Sequence, residues 1–96
     1  MRKYEVMFVV RPDLESENIK NVAENMKEVL VSCGAKVLDV KEMGQRDLAY
    51  EVKKYHKGYY YLFTIEAETS DATKEFDRLA LISEDIIRHL IVRVDE

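Results

Sequence analysis

The spacing of hydrophobic positions changes repeatedly along the chain, and each change marks an element. Residues 2–10 alternate. Tyr4, Val6, Phe8 and Val10 share one face, and Lys3, Glu5, Met7 and Val9 share the other. This is the period-two pattern of a β-strand, with β-branched and aromatic content to match. Pro12 ends it, because proline fixes φ and has no N–H to donate. Over residues 16–33 the period lengthens. Ile19, Val22, Met26, Val29, Leu30 and Cys33 form one apolar stripe on a helix. Asp13 or Ser16 is expected to cap its start and Gly34 to end it in a left-handed turn. Residues 36–54 read as extended, with Leu48, Tyr50 and Val52 alternating and Gly44 marking a bend or bulge. Lys53–Gly58 reads as a polar hairpin tip and 59–67 as the next strand. Ser70 or Asp71 is expected to cap a second helix with Phe76, Leu79 and Ala80 inward, and Ile86–Val94 forms a final strand.

The order strand, helix, strand, strand, helix, strand contains two strand–helix–strand units, each requiring a right-handed crossover. Interleaved, they predict an α+β, ferredoxin-like (split β-α-β) fold: a four-stranded antiparallel sheet with two helices on one face. The 96 residues suit a single domain, residues 1–96. In this arrangement one sheet face is covered and the other is open. The open face is expected to show Lys3, Glu5, Met7 and Val9 from the first strand and Tyr60, Leu62, Thr64 and Glu66 from the third. The last strand is apolar on both sides. Ile86, Leu90, Val92 and Val94 make one face; Ile87, His89, Ile91 and Arg93 make the other. Such a strand needs cover on both sides or leaves an apolar patch. Met7, Tyr60, Leu62, His89 and Ile91 are the expected protein-docking surface.

Composition narrows the function. A single cysteine excludes an intramolecular disulfide framework and points to a reducing, cytoplasmic compartment. The run Val6–Val10 is too short for a membrane span or the apolar core of a signal peptide. Two separated histidines and one cysteine do not make a zinc site. The chain offers no Gly-rich phosphate loop and no nucleophile–base pair, so neither catalysis nor a cofactor is expected. The formal charge is −4, which argues against a protein that holds nucleic acid strongly by itself. The charge is uneven, however. Residues 1–57 carry eleven basic and ten acidic residues, whereas residues 58–96 carry four and nine. The tip Lys53-Lys54-Tyr55-His56-Lys57 interleaves cations with rings, which suits a phosphate backbone and an unstacked base. Arg2, Lys3, Arg88 and Arg93 are further cations, expected to converge if the last strand lies beside the first.

Two resemblances bear on this. Lys57-Gly58-Tyr59-Tyr60-Tyr61-Leu62-Phe63-Thr64 resembles the octapeptide of RNA-recognition domains, but Tyr60 and Thr64 depart from it, and Tyr61 is expected to pack inward rather than stack on a base. The stronger resemblance covers the whole chain. Met1-Arg2-Lys3-Tyr4-Glu5-Val6-Met7 followed by Arg11-Pro12-Asp13-Leu14, the segment Gly44-Gln45-Arg46-Asp47-Leu48-Ala49-Tyr50-Glu51-Val52, and Phe76-Asp77-Arg78-Leu79-Ala80 through Asp85-Ile86-Ile87-Arg88-His89 together resemble the bacterial ribosomal protein S6 family of the small subunit. Val52 stands where isoleucine is usual, and Asp47 where many members carry a second basic residue. The resemblance implies a ferredoxin-like structural protein, not an enzyme. It also implies a cytoplasmic, ribosomal location and binding to the central domain of small-subunit ribosomal RNA jointly with ribosomal protein S18, with no membrane or DNA partner. The implied RNA contacts are Arg2, Lys3, Arg46, Arg88 and Arg93, with Lys53, Lys54 and Lys57 beside them. A self-associating regulatory domain that binds a small ligand is the alternative. An acylphosphatase-like hydrolase of the same fold would need an anion-cradling loop, and Arg11-Pro12-Asp13-Leu14 has no glycine to form one.

Overall fold

The computed structural model describes residues 2–94; Met1 and the acidic pair Asp95-Glu96 lie outside the described residues. Strand β1 (Arg2–Val10) is followed by helix α1 (Ser16–Ser32), strands β2 (Lys36–Val52) and β3 (Tyr55–Ala67), helix α2 (Asp71–Ile82) and strand β4 (Ile86–Arg93). The sheet order is β2-β3-β1-β4, with antiparallel neighbours throughout. This is the split β-α-β topology read from the hydrophobic pattern.

The core lies between the sheet and both helices. Tyr4, Val6, Phe8 and Val10 meet Tyr61, Phe63, Ile65 and Ala67 of β3, Ile19, Ala23, Met26 and Leu30 of α1, and Ala72, Phe76 and Ala80 of α2. Phe8 is its centre. Its ring stacks on Tyr61 at 5.4 Å, stands edge-on to Phe63 at 5.2 Å and meets Phe76 at 5.7 Å. Offset and edge-to-face contacts of this kind add about 0.5–1.5 kcal/mol per pair to the burial itself.

Gly34 closes α1 as expected. Its φ is +93°, Gly34 donates its N–H to the Val31 carbonyl at 3.0 Å, and Ala35 donates to the Leu30 carbonyl at 3.0 Å. The start of α1 differs from expectation. Glu15 occupies the N-cap position without a side-chain hydrogen bond, so neither Asp13 nor Ser16 caps the helix. A missing cap costs about 1 kcal/mol. At α2, Ser70 holds the N-cap position but its side chain does not cap; the Asp71 N–H donates to the Thr69 hydroxyl at 3.3 Å.

Three irregularities reshape the hairpin and the last strand. Gly44, at φ +83°, follows a register shift between Glu42 and Gly44, the bulge that the lone glycine predicted. The hairpin tip is shorter than expected. Val52 pairs with Tyr55, so only Lys53 and Lys54 turn, and Tyr55 to Gly58 belong to β3. Between Asp47↔Lys57 and Val52↔Tyr55, four residues of β2 face His56 alone, which bends β2 sharply. The third irregularity lies between Val9/Val10 of β1 and the start of β4. Val10 pairs with Ile86 and Val9 with Arg88, which leaves Ile87 as an extra residue. Beyond it, Phe8↔His89, Val6↔Ile91 and Tyr4↔Arg93 share the helix side, whereas Met7↔Leu90 and Glu5↔Val92 share the open side.

One hydroxyl in the core is strained in a different sense. The Tyr61 hydroxyl is buried and has no hydrogen-bond partner among the described residues. Burial first, and the nearby Glu42 carboxylate second, push its pKa up from 10.0 to about 12. The folded protein therefore favours the protonated phenol. Its contribution to stability is complete below pH 10 and is lost as pH rises from 10 through 12. Tyr61→Phe is expected to raise stability at neutral pH by about 1 kcal/mol, by removing an unpaired polar group. It is also expected to flatten the loss of stability above pH 10. Urea unfolding of both proteins between pH 7 and pH 11 checks both effects.

Candidate functional site

The open face of the sheet carries an apolar row that crosses three strands: Leu62 of β3, Met7 of β1 and Leu90 of β4 are in register. Val92 extends it on β4, and Leu90 and Val92 are 53% and 43% exposed. Toward the hairpin end the next row is Tyr60, Val9 and Arg88. Here the open face has a small core of its own. Val9 and Ile87 are buried, and Gly58 lies against them. A Cβ built on Gly58 would overlap the Val9 Cγ1, so this position needs a glycine for close approach.

Met7, Tyr60 and Leu62 therefore lie on the open face where the alternation put them. His89 and Ile91 do not. The β4 irregularity turns both toward the helices, where Ile91 packs on the core. His89 stands 6.2 Å from the Phe76 ring, and its Nε2 is 2.7 Å from the Asp77 Oδ1 of α2. The residues that replace them on the open face are Leu90 and Val92. No sequence signal separates the two facings, because Ile86-Ile87 and Leu90-Ile91-Val92 make the strand apolar on both sides; only the register with β1 does.

The predicted cations fall into two groups at opposite ends of the sheet. Arg2, Lys3 and Arg93 lie at the end where Arg2 pairs with Ala67 and Tyr4 with Arg93. Arg46, Lys53, Lys54, Lys57 and Arg88 lie at the other, beside or on the hairpin. Arg88 and Arg93 are five residues apart on β4, roughly 17 Å along the strand, so the expected convergence of Arg2, Lys3, Arg88 and Arg93 does not occur. Arg88 is drawn to the hairpin instead. Its guanidinium carbon lies 5.5 Å from the centroid of the Tyr50 ring, brought over the open face by the bend in β2. Asp47 lies directly opposite Lys57 and so offsets one of the hairpin cations. Tyr61 is 3% exposed and cannot stack on a base, which removes the RNA-recognition octapeptide as a functional motif.

The hairpin turn is conformationally costly. Lys53 has φ +48° and Lys54 has φ +73°. A two-residue hairpin with both central residues left-handed is the I′ geometry that favours Asn-Gly. Tyr55, the next residue, donates its hydroxyl to the Asp13 Oδ2 at 3.2 Å. Asp13 also accepts from Arg11 Nη1 at 3.3 Å, and Arg11 Nε donates to Asp85 Oδ1 at 2.9 Å. The Arg11 guanidinium is held still more firmly protonated, chiefly by its hydrogen bond to Asp85.

On the helix side a cleft of about 270 Å³ opens between α1 and β2, walled by Lys20, Glu24, Lys27, Val40 and Glu42 over Tyr61 and Phe63. Among the described residues, no group of three or more His, Cys, Asp or Glu side chains is placed to hold a metal ion. No described helix is long and apolar enough to cross a membrane.

A family model described as ribosomal protein S6 matches residues 3–93. The crystal structure of 30S ribosomal protein S6 from Thermotoga maritima is similar, with 29% sequence identity and a TM-score of 0.89; the match covers 97% of this chain and 87% of that one.

Replacing the turn with Lys53→Asn and Lys54→Gly is expected to relieve its strain and stabilise the fold by about 1–2 kcal/mol. Chemical denaturation of the double variant beside the wild type measures the gain.

Proposed function

The chain belongs to the ribosomal protein S6 family, proteins of the small ribosomal subunit, and from that premise we propose that it binds the central domain of small-subunit ribosomal RNA as one half of a pair with ribosomal protein S18. Its role is structural rather than catalytic, at the ribosome, in the cytoplasm. The observation that carries the pairing is the apolar row Leu62–Met7–Leu90 on a sheet face with both helices on its other side. A row of this kind, half-buried at Met7 and Leu62 and exposed at Leu90, flanked by Tyr60 and Val92, suits the centre of a protein interface with a polar rim.

Charge supports the same division of labour. Affinity for RNA follows the number of phosphates neutralised. A chain of net charge −4 has few cations to give, and a basic partner must supply the rest. The hairpin group of Arg46, Lys53, Lys54, Lys57 and Arg88 is the main phosphate contact of this chain. Arg2, Lys3 and Arg93 form a second point of contact at the far end of the sheet. Arg46 suits a phosphate because its planar fork can donate two hydrogen bonds to one anion.

The test is a reconstitution with S18 and a central-domain RNA fragment, titrated over a range of salt. Arg46→Ala is expected to weaken RNA binding and lower the slope of log K against log salt by about one. Leu90→Glu, at an exposed position, is expected to leave the fold intact and weaken S18 binding by ~2 kcal/mol or more. Unchanged slope and unchanged S18 binding in these variants would overturn the reading. So would sedimentation as a stable homodimer that a metabolite stabilises, the behaviour of a self-associating regulatory domain.

A further inference from the structure

Three loops meet at the hairpin end of the molecule, and one carboxylate joins two of them. The β1–α1 loop brings Asp13. Its Oδ2 accepts the Tyr55 hydroxyl from the first residue of β3 at 3.2 Å, across 42 positions of sequence. Its Oδ1 accepts from Arg11 at 3.3 Å. Arg11 is fixed in turn to the α2–β4 loop. Its Nε donates to the Asp85 carboxylate at 2.9 Å, and its backbone N–H donates to the Asp85 carbonyl at 2.8 Å. The chain of contacts thus runs from the lysine turn to the body of the protein.

Electrostatics alone does not account for Asp13. A carboxylate beside a turn of two lysines repels the phosphates those lysines would meet. The sequence offers Asp13 or Ser16 as the cap of α1, yet α1 begins without a side-chain cap. What Asp13 does instead is hold Tyr55, the residue that follows Lys53 and Lys54. Both lysines already lie in the left-handed region. A two-residue turn with its next residue pinned has little backbone freedom left, so the two lysine side chains leave the body from fixed Cα–Cβ directions. Fixing a binding loop beforehand reduces the ordering lost on association.

We propose that Asp13 and Tyr55 are positioning residues that latch the Lys53-Lys54 turn to the body and present it, preorganised, to a phosphate backbone. The proposal rests on the reading of the hairpin lysines as RNA contacts.

The test compares Tyr55→Phe, Asp13→Ala and the pair Lys53→Ala, Lys54→Ala in the full chain. Each is assayed with S18 and the central-domain RNA fragment over a range of salt, and by amide hydrogen exchange of the free protein. Tyr55→Phe keeps the ring and every charge. It is expected to speed exchange at residues 53–57 while core amides stay protected, and to weaken RNA binding roughly 2–5-fold, the worth of one exposed hydrogen bond, at an unchanged salt slope. Asp13→Ala removes a negative charge, so charge alone predicts tighter binding, whereas the latch predicts weaker. Tighter binding in Asp13→Ala, or unaltered exchange in Tyr55→Phe, overturns the latch. If the lysine pair weakens binding and Tyr55→Phe does not, the latch falls and the phosphate contacts stand. If the lysine pair changes neither affinity nor slope, the phosphate reading of the hairpin falls, and the positioning role with it.

Discussion

The ring of Phe8 joins the two halves of this fold. It is fully buried on the central strand β1, stacked on Tyr61 of β3 and against Phe76 of α2. One strand–helix–strand half contributes β1, α1 and β2; the other contributes β3, α2 and β4. Phe8 belongs to the first and touches mainly the second, so the interleaving of the halves is cemented at one side chain. Burying a ring of this size contributes about 1.5–3 kcal/mol, and its aromatic neighbours add to that. The other helix-facing residues of β1, namely Tyr4, Val6 and Val10, continue the same seam.

A strand committed so fully on one side fixes what the other side can do. The neighbours of Phe8, Met7 and Val9, point away from both helices. At Val9 the problem is solved inside the chain: Gly58 gives up its side chain so that Val9 and Ile87 can close together. At Met7 it is not. Leu62 and Leu90 flank it in register, and Leu90 stays more than half exposed. Burying such a row against a partner recovers roughly 25 cal/mol for each Å² of apolar surface removed from water, which the isolated domain leaves unrealised.

The strength of periodicity decided what could be read from the sequence. The first strand and both helices were legible because their alternation or stripe is unbroken and their contacts follow it. The last strand was legible as a strand, but its facing was not. A single extra residue, Ile87, reverses the side of everything after it, and only the register with β1 reveals that reversal. This is why His89 and Ile91 read as docking residues and prove to be helix-facing, while Leu90 and Val92 take the open face. The hairpin tip read as too long for a related reason. Its turn contains two lysines where an I′ turn normally announces itself with asparagine or glycine. The hairpin's basic character, by contrast, was plain from residue counts, since charge requires no knowledge of register. Grouping the cations did require it. Arg88 is near Arg93 in sequence and near the hairpin in space.

That turn also gives the net charge its meaning. Left-handed backbone is cheap for glycine and costs an ordinary side chain on the order of 1 kcal/mol. A connector with no further task would relieve the strain with a glycine at no loss of packing, because Lys53 and Lys54 are both exposed. Lysine there adds two positive charges at the tip of the molecule, at a cost in stability. Meanwhile the acidic excess of residues 58–96 includes Asp71, Glu75 and Asp77 on α2, the helix-covered side. The same chain can then be acidic in sum and cationic at its tip. On the proposed reading, a domain built this way meets a polyanion with one end, leaves its apolar face for a protein, and depends on that protein for the positive charge it lacks.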